Sequence, residues 1–286
     1  MPPVIFLKDG VTLTFFVLAV VLILLILFLI YPCRPSQEKS RSFYGRNYAH
    51  RGLHTKDKSV PENSLAAFHA AVEHGYGIEL DIQLSKDGEV VVFHDDTLDR
   101  VCGVHGRVDA YTLEELRSFS LCGTEQRIPL LTEVFEVMGG KAPMIIELKS
   151  GPRNTELCEK GYALMQQYHG AYCIESFDPR IVCWFKKHAP QVLRGQLAGR
   201  PETYNTLPSV GGFVLGNLLG NVLARPEFVA YDNAKKPWTV RLCDRLGALR
   251  VLWTARDEAD KARVESENDL VIFEFYLPEV QFRTEA

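Results

Sequence analysis

From Tyr48 onward, short apolar runs alternate with stretches of helical period. The apolar runs are NYAHRG, IELDIQL, EVVVFHD, MIIELK, AYCIESF, VLRGQLAG, FVAYD, RVLWTA and LVIFEF, each of strand length. Between them lie SLAAFHAAVEHG, YTLEELRSF, LTEVFEVMGG, residues 155–169, DPRIVCWFKKHAP, WTVRLCDRLG and DEADKARVESE, whose apolar positions recur as on one face of a helix. Asn63 or Ser64 is placed to cap the first helix, and Gly75 to stop it. Such alternation predicts parallel strands joined by helices.

One link is too short for that. The residues around KDG between IELDIQL and EVVVFHD cannot provide a parallel crossover, so these two strands are expected to form an antiparallel hairpin. Taking Asp87 and Gly88 as a two-residue turn places Lys86 opposite Glu89 and Asp81 opposite His94. Set the hairpin strand aside and eight remain. The predicted fold is therefore α/β: a (β/α)8 TIM barrel with one extra hairpin strand.

A different pattern precedes the barrel. Val11 to Tyr31 contains no charge and only two threonines, and about 20 such residues span a hydrocarbon core. A signal peptide would have a shorter apolar region of about 7–15 residues and a small-residue cleavage site, which IYPC does not offer. The expected organisation is a tail (1–10), a transmembrane helix (11–31), a polar linker (32–46) and a catalytic barrel (47–286). Arg34, Lys39, Arg41 and Arg46 follow the span and only Lys8 precedes it, so the positive-inside tendency puts the barrel on the cytoplasmic side. Seven cysteines at irregular spacing, with no CxxC pair, fit reduced thiols better than disulfides or zinc. A net charge of −4 argues against nucleic acid as a partner. Nothing in the sequence sets an oligomeric state.

Polar groups stand where a pure core would not have them. NYAHRG ends in His50 and Arg51; IELDIQL carries Glu79 and Asp81, two apart and so on one face; MIIELK ends in Glu147 and Lys149; RVLWTA holds Trp253 and Thr254. In a closed barrel the C-terminal strand ends converge, and barrel enzymes keep their chemistry there. Three buried carboxylates repel one another and call for a cation, and ligation by oxygen alone suits Mg2+ or Ca2+. Arg51 and Lys149 would then hold phosphate oxygens, and His50 and His94 would serve as general acid and base for cleavage of a phosphodiester.

HRG at His50–Gly52, PENS at Pro61–Ser64, ELD at Glu79–Asp81, HDDTLDR at His94–Arg100, ELK at Glu147–Lys149 and WT at Trp253–Thr254 follow one another in this order. As a set, over Asn47 to Glu279, they resemble the glycerophosphodiester phosphodiesterase family. The resemblance implies a barrel that hydrolyses glycerophosphodiesters to glycerol phosphate and an alcohol with a divalent metal. It implies Glu79, Asp81 and Glu147 as metal ligands, His50 and His94 as the catalytic pair, Arg51 and Lys149 as phosphate contacts, and Trp253 as an aromatic wall of the substrate pocket. It also implies that the neighbouring glycerol hydroxyl can act as first nucleophile, through a cyclic phosphate.

Two features depart from the family. The small domain that many bacterial members insert after the HDDTLDR-like segment is missing, and FEFYLP stands where TDYP is usual, so Glu274 receives no role.

Other readings stay open at this stage. The substrate can be a glycerophosphodiester or a lysophospholipid cleaved on the phospholipase D side, and an inactive membrane-bound scaffold is the alternative from another class. Asn63 is either a cap or a substrate contact, and Glu62 a further support of the metal shell. The apolar stretch Gly211 to Ala224 is either buried packing or a lipid-touching flap at the active-site mouth. The remaining histidines (His54, His69, His74, His105, His169 and His188) read as surface or structural.

Overall fold

A computed structural model describes residues 5–204 and 209–284. Among the described residues there are nine strands: β1 (Arg46–His50), β2 (Gly77–Leu84), β3 (Val90–Val92), β4 (Met144–Leu148), β5 (Tyr172–Ser176), β6 (Leu193–Ala198), β7 (Phe228–Asp232), β8 (Leu249–Ala255) and β9 (Leu270–Phe273). Eight of them pair in parallel in the order β1-β9-β8-β7-β6-β5-β4-β2, and pairing of β1 with β2 closes the ring. The exception is β3, antiparallel on the far half of β2. The barrel strands are apolar on both faces because both are covered: helices lie outside and side chains fill the inside.

The barrel interior is packed by Tyr48, Ile145, Cys173, Leu193, Phe228, Val251 and Leu270, with Phe43 beneath them. Gly195 is required here, since a Cβ would come within 1.9 Å of the Phe228 ring. Around the outside, Ser64 rather than Asn63 caps the helix Leu65–Glu73, its Oγ accepting from the Ala67 N–H. Thr112 and Glu115 form a reciprocal capping box on Leu113–Ser118, and Asp178 caps Pro179–His188.

The hairpin register differs from the expected one. Ile82 pairs with Val92 and Leu84 with Val90, so three residues (Lys86, Asp87 and Gly88) form the loop, with Gly88 at φ +84°. The Ser85 N–H donates to the Glu89 carbonyl, whereas the Lys86 N–H turns to the Tyr111 carbonyl at 2.8 Å. That tertiary bond adds a residue to the loop and shifts the pairing by one. Asp81 therefore lies opposite Phe93, whose N–H donates to the Asp81 carbonyl at 3.0 Å. His94 lies beyond the end of β3.

The N-terminal helix runs from Ile5 to Ile30 and includes a segment, Thr12–Ile30, of mean hydropathy 3.5 that is long and apolar enough to cross a membrane. Most of that segment is exposed, but its end docks. Asn221 Nδ2 donates to the Ile30 carbonyl, and Arg225 Nη1 donates to the carbonyls of Phe28 and Tyr31. The next stretch of chain lies against the barrel: the Cys33 N–H donates to the Pro226 carbonyl, Lys39 pairs with Glu227 at 2.6 Å, and Phe43 is buried. The stretch Gly211 to Ala224 lies in two short helices and the turn between them, Ser209–Gly216 and Asn221–Ala224.

Candidate active site

Parallel register determines which side chains become neighbours. Pairing of Asp81 with Glu147, and of Glu147 with Glu175, lines up three acids across β2, β4 and β5. Glu79 follows by the two-residue repeat of β2. Glu79, Asp81 and Glu147 each offer an oxygen within 4.8 Å of the other two, and all three are buried. Lys149 Nζ reaches Glu147 at 2.9 Å and Asp81 at 3.4 Å. Arg51 donates its backbone N–H to Glu79 at 3.1 Å and brings Nε within 3.5 Å of Asp81.

These surroundings set the protonation. Burial, with Asp81 and Glu147 alongside, pushes the Glu79 carboxyl well up from its ordinary value. Burial also favours the acid form of Asp81, but His94, Lys149, Arg51 and Asn63 outweigh it and hold Asp81 below the usual range. Glu147 is raised by burial and by Asp81 against the pull of Lys149. Burial would discharge Lys149, yet Glu147 and Asp81 keep it charged. Fully ionised, the three carboxylates would carry one charge more than Arg51 and Lys149 neutralise, which, together with burial, is why Glu79 and Glu147 are pushed toward their acid forms in the absence of a further cation. That donor set, oxygen-only and self-repelling, fits a hard divalent cation.

The two histidines reach the site by different routes. His50 ends β1, is buried, and lies 3.7 Å from Glu79 through Nε2. Its Nδ1 is hydrogen-bonded to Glu274, which comes directly after β9 and is also held by Arg256 at 2.6 Å. Burial and the Arg51 charge hold His50 down at about 4, against the pull of Glu274. His94 is about one-third exposed, and its Nδ1 meets Asp95 at 2.6 Å. Asp95 is fixed by Arg100 at 2.6 Å. Each imidazole therefore has its own orienting carboxylate.

His50, Arg51, Glu79, His94, Glu147, Lys149 and Trp253 line one cavity of about 380 Å3. Asp81, buried behind them, completes the acid cluster. Trp253 stands edge-on to Phe177 at 5.7 Å and donates its indole N–H to the Ala198 and Ala230 carbonyls. The folded chain thus gathers all eight residues expected from the sequence. Glu62 lies elsewhere in the arrangement, bonded to Arg51 and Arg100 at 2.7 Å each, so it braces two arginines. Asn63 Nδ2 donates to Asp81 at 2.9 Å.

Two residues escaped the sequence reading. Glu274 is a neighbour of His50 because β9 pairs with β1, Phe273 against Ala49; closing an eight-strand ring was the signal that could have found it. Glu175 is a fourth buried acid on the cavity wall, pushed well up by burial and by Glu147, with Oε2 lacking a hydrogen-bond partner. The ES of AYCIESF is an acid in an apolar strand, the same signal that marked Glu79.

The model of the glycerophosphoryl diester phosphodiesterase family matches residues 50–275. This chain belongs to that family. A glycerophosphodiester phosphodiesterase from Caldanaerobacter subterraneus is 37% identical over 211 residues, which cover 67% of this chain and 84% of that protein. A lysophospholipase D from Rattus norvegicus is 37% identical over 156 residues, 50% of this chain and 48% of that protein. Among solved structures, a phosphodiesterase from Oleispira antarctica in complex with the product sn-glycerol-3-phosphate shares the fold. It has a TM-score of 0.67 and 24% identity and covers 80% of this chain and 93% of that one. The family's enzyme activity, glycerophosphodiester phosphodiesterase, is that of this chain.

Proposed function

We propose that this phosphodiesterase is metal-dependent and works by histidine acid–base catalysis from a membrane anchor. The observation that carries the reading is the meeting of three buried carboxylates, two imidazoles and two cationic side chains around one cavity. Glu79, Asp81 and Glu147 would hold Mg2+ or Ca2+, which when bound supplies Lewis-acid stabilisation of charge developing at phosphorus. Arg51 and Lys149 bind the phosphoryl oxygens. His50 and His94, oriented by Glu274 and Asp95, accept a proton from the attacking hydroxyl or water and deliver one to the departing alcohol. Trp253 forms an apolar wall for the glycerol or the alcohol.

Anchoring finds support in the docked end of the N-terminal helix. Hydrogen bonds from Asn221 and Arg225 tie it to the folded domain, whereas a signal peptide is cut away. With the basic residues on the C-terminal side of the span, the barrel is assigned to the cytoplasmic side. A second substrate reading, a monoacyl lipid cleaved to release its headgroup alcohol, is favoured by the similarity to a lysophospholipase D.

The test is a product assay on glycerophosphodiesters, with and without chelator. EDTA should abolish turnover, and added Mg2+ or Ca2+ should restore it. His94→Ala should lower kcat at least about 100-fold while leaving cation binding intact. Turnover indifferent to chelation would remove the metal from the mechanism. A diester panel without turnover would favour the scaffold.

A further inference from the structure

One buried acid of the barrel stands outside the cluster that would hold the cation. Glu175 lies on β5, with Glu147 on β4 as its register partner on one side and Gly195 on β6 on the other. The two-residue repeat of β5 sends it inward with Cys173, which packs in the barrel interior. It is 1% exposed and lines the catalytic cavity. Yet it does not join Glu79, Asp81 and Glu147, whose ligand oxygens lie within 4.8 Å of one another.

Its hydrogen bonding is incomplete. Oε2 has no partner, and the cation on the next strand, Lys149, pairs with Glu147 and Asp81 instead. Polar groups that follow it are satisfied: Ser176 Oγ donates to the Leu148 carbonyl at 2.7 Å, and Asp178 is held by Arg180 and Asn154. A buried carboxyl without a partner is costly, and one aimed into a cavity points to a donor that arrives with the ligand.

The wall around it indicates which donor. To one side lie Glu147 and Lys149 of the charged site; to the other, Phe177 and Leu197 begin an apolar surface that Trp253 and Ile272 continue. Glu175 marks the boundary. Thr203, the uncharged polar side chain of the lining, is exposed. A ligand that matches this wall carries a phosphate, a short run of carbons to lie against the rings, and a hydroxyl at the join. In a glycerophosphodiester the hydroxyl next to the ester stays beside the phosphate and the groups that hold it. The terminal hydroxyl reaches one carbon farther along the wall.

We propose that Glu175 accepts a hydrogen bond from the terminal hydroxyl of the glycerol moiety and so selects glycerol diesters over diesters that lack it. The assignment rests on the phosphodiesterase reading of this cavity and adds a specificity-determining residue to it. A site built to bond a hydroxyl rejects the analogue without one, because its own buried group then stays unpaired.

The experiment uses the full chain in a maltoside detergent with a divalent cation present. Steady-state kinetics compare glycerophosphocholine with propane-1,2-diol phosphocholine, which keeps the hydroxyl next to the ester and lacks the terminal one. In the wild type kcat/KM should favour glycerophosphocholine at least about 100-fold. Glu175→Met, similar in length and apolar, should bring the ratio to within about threefold of unity, the loss falling on glycerophosphocholine. Glu175→Gln should keep a ratio of at least about tenfold, since an amide still bonds a hydroxyl. Thermal melts check each fold, and Glu175→Ala takes the place of methionine should that variant not fold. A wild-type ratio near unity would overturn the assignment and leave the phosphodiesterase reading standing. A full ratio in the folded apolar variant would put the hydroxyl's partner elsewhere and also overturn it. Equal loss on both diesters with a raised half-saturating cation concentration would make Glu175 a metal ligand instead. A wild-type enzyme that hydrolyses neither diester would overturn both readings together.

Discussion

Replacing Glu79 by glutamine should make the metal-free barrel more stable while removing its response to divalent cations. The amide keeps the shape of the side chain and still accepts the Arg51 backbone N–H, which bonds Glu79 at 3.1 Å. The substitution removes charge. Two full charges 4.8 Å apart, the outer limit of the Glu79, Asp81 and Glu147 oxygens, repel by roughly 3 kcal/mol at an effective dielectric of about 20. Arg51 and Lys149 offset part of that, so a gain of about 1–2 kcal/mol is expected, or about 2–6 °C in melting temperature for a chain of this size.

The pH dependence gives the sign. Burial first, then Asp81 and Glu147, raise the Glu79 carboxyl above its ordinary 4.5. Between that value and its folded-state value, the native protein keeps a proton that the unfolded chain releases, so stability falls as pH rises. Glutamine has no such slope. The advantage of Glu79→Gln should therefore be small near pH 4 and grow as pH rises toward 8. Thermal unfolding in EDTA at both pH values, and then a titration with Mg2+ or Ca2+, measures each part. Cation at about 100 times its dissociation constant should add roughly 2.7 kcal/mol to the wild type and far less to the variant. A variant that melts below the wild type in EDTA at pH 8, or that gains as much from the cation, would refute the reasoning.

Glu274→Gln should lower kcat by roughly 10- to 100-fold with little change in KM, because His50 loses the carboxylate that orients it; unchanged kcat would place the pair outside the chemistry. Glu62→Gln should destabilise by up to roughly 3 kcal/mol at neutral pH. Burial raises the Glu62 carboxyl, but Arg100 and Arg51 outweigh it and hold it at about 2, against an ordinary 4.5. A depressed carboxyl stabilises above its unfolded value and loses that contribution as pH falls toward 2, so urea unfolding at pH 7 and pH 3 should show the deficit shrinking. A deficit of equal size at both would mean that Glu62 contributes packing instead.

The barrel was legible because its strands are buried on both faces, which leaves apolar runs with no alternation to blur their ends. Polar groups inside such runs were legible for the same reason: Glu79, Asp81 and Glu147 interrupt apolar sequence, so each announces a purpose. The features that could not be read from the chain depend on contacts made after folding. The hairpin register turned on a bond from the Lys86 N–H to the Tyr111 carbonyl, far along the sequence, and nothing near Asp87 announces it. Likewise Lys39 and Phe43 read as linker composition, yet one pairs with Glu227 and the other fills the barrel floor.

The shifted register still left His94 in the cavity lined by Glu79 and Glu147, and the reason is physical. His94 is positioned less by its strand than by the polar segment on its C-terminal side: Asp95 holds the imidazole, and Arg100 ties Asp95 to Glu62, which in turn holds Arg51. That chain of charge-assisted bonds joins the segment after the hairpin to the end of β1, so the rim histidine is fixed relative to Arg51 without relying on strand pairing. His50, by contrast, is fixed by the seam of the barrel, where β9 brings Glu274 beside β1. One imidazole thus depends on ring closure and the other on a polar network at the mouth. On the proposed mechanism, damage to the seam and damage to the network should then disable different halves of the same proton transfer.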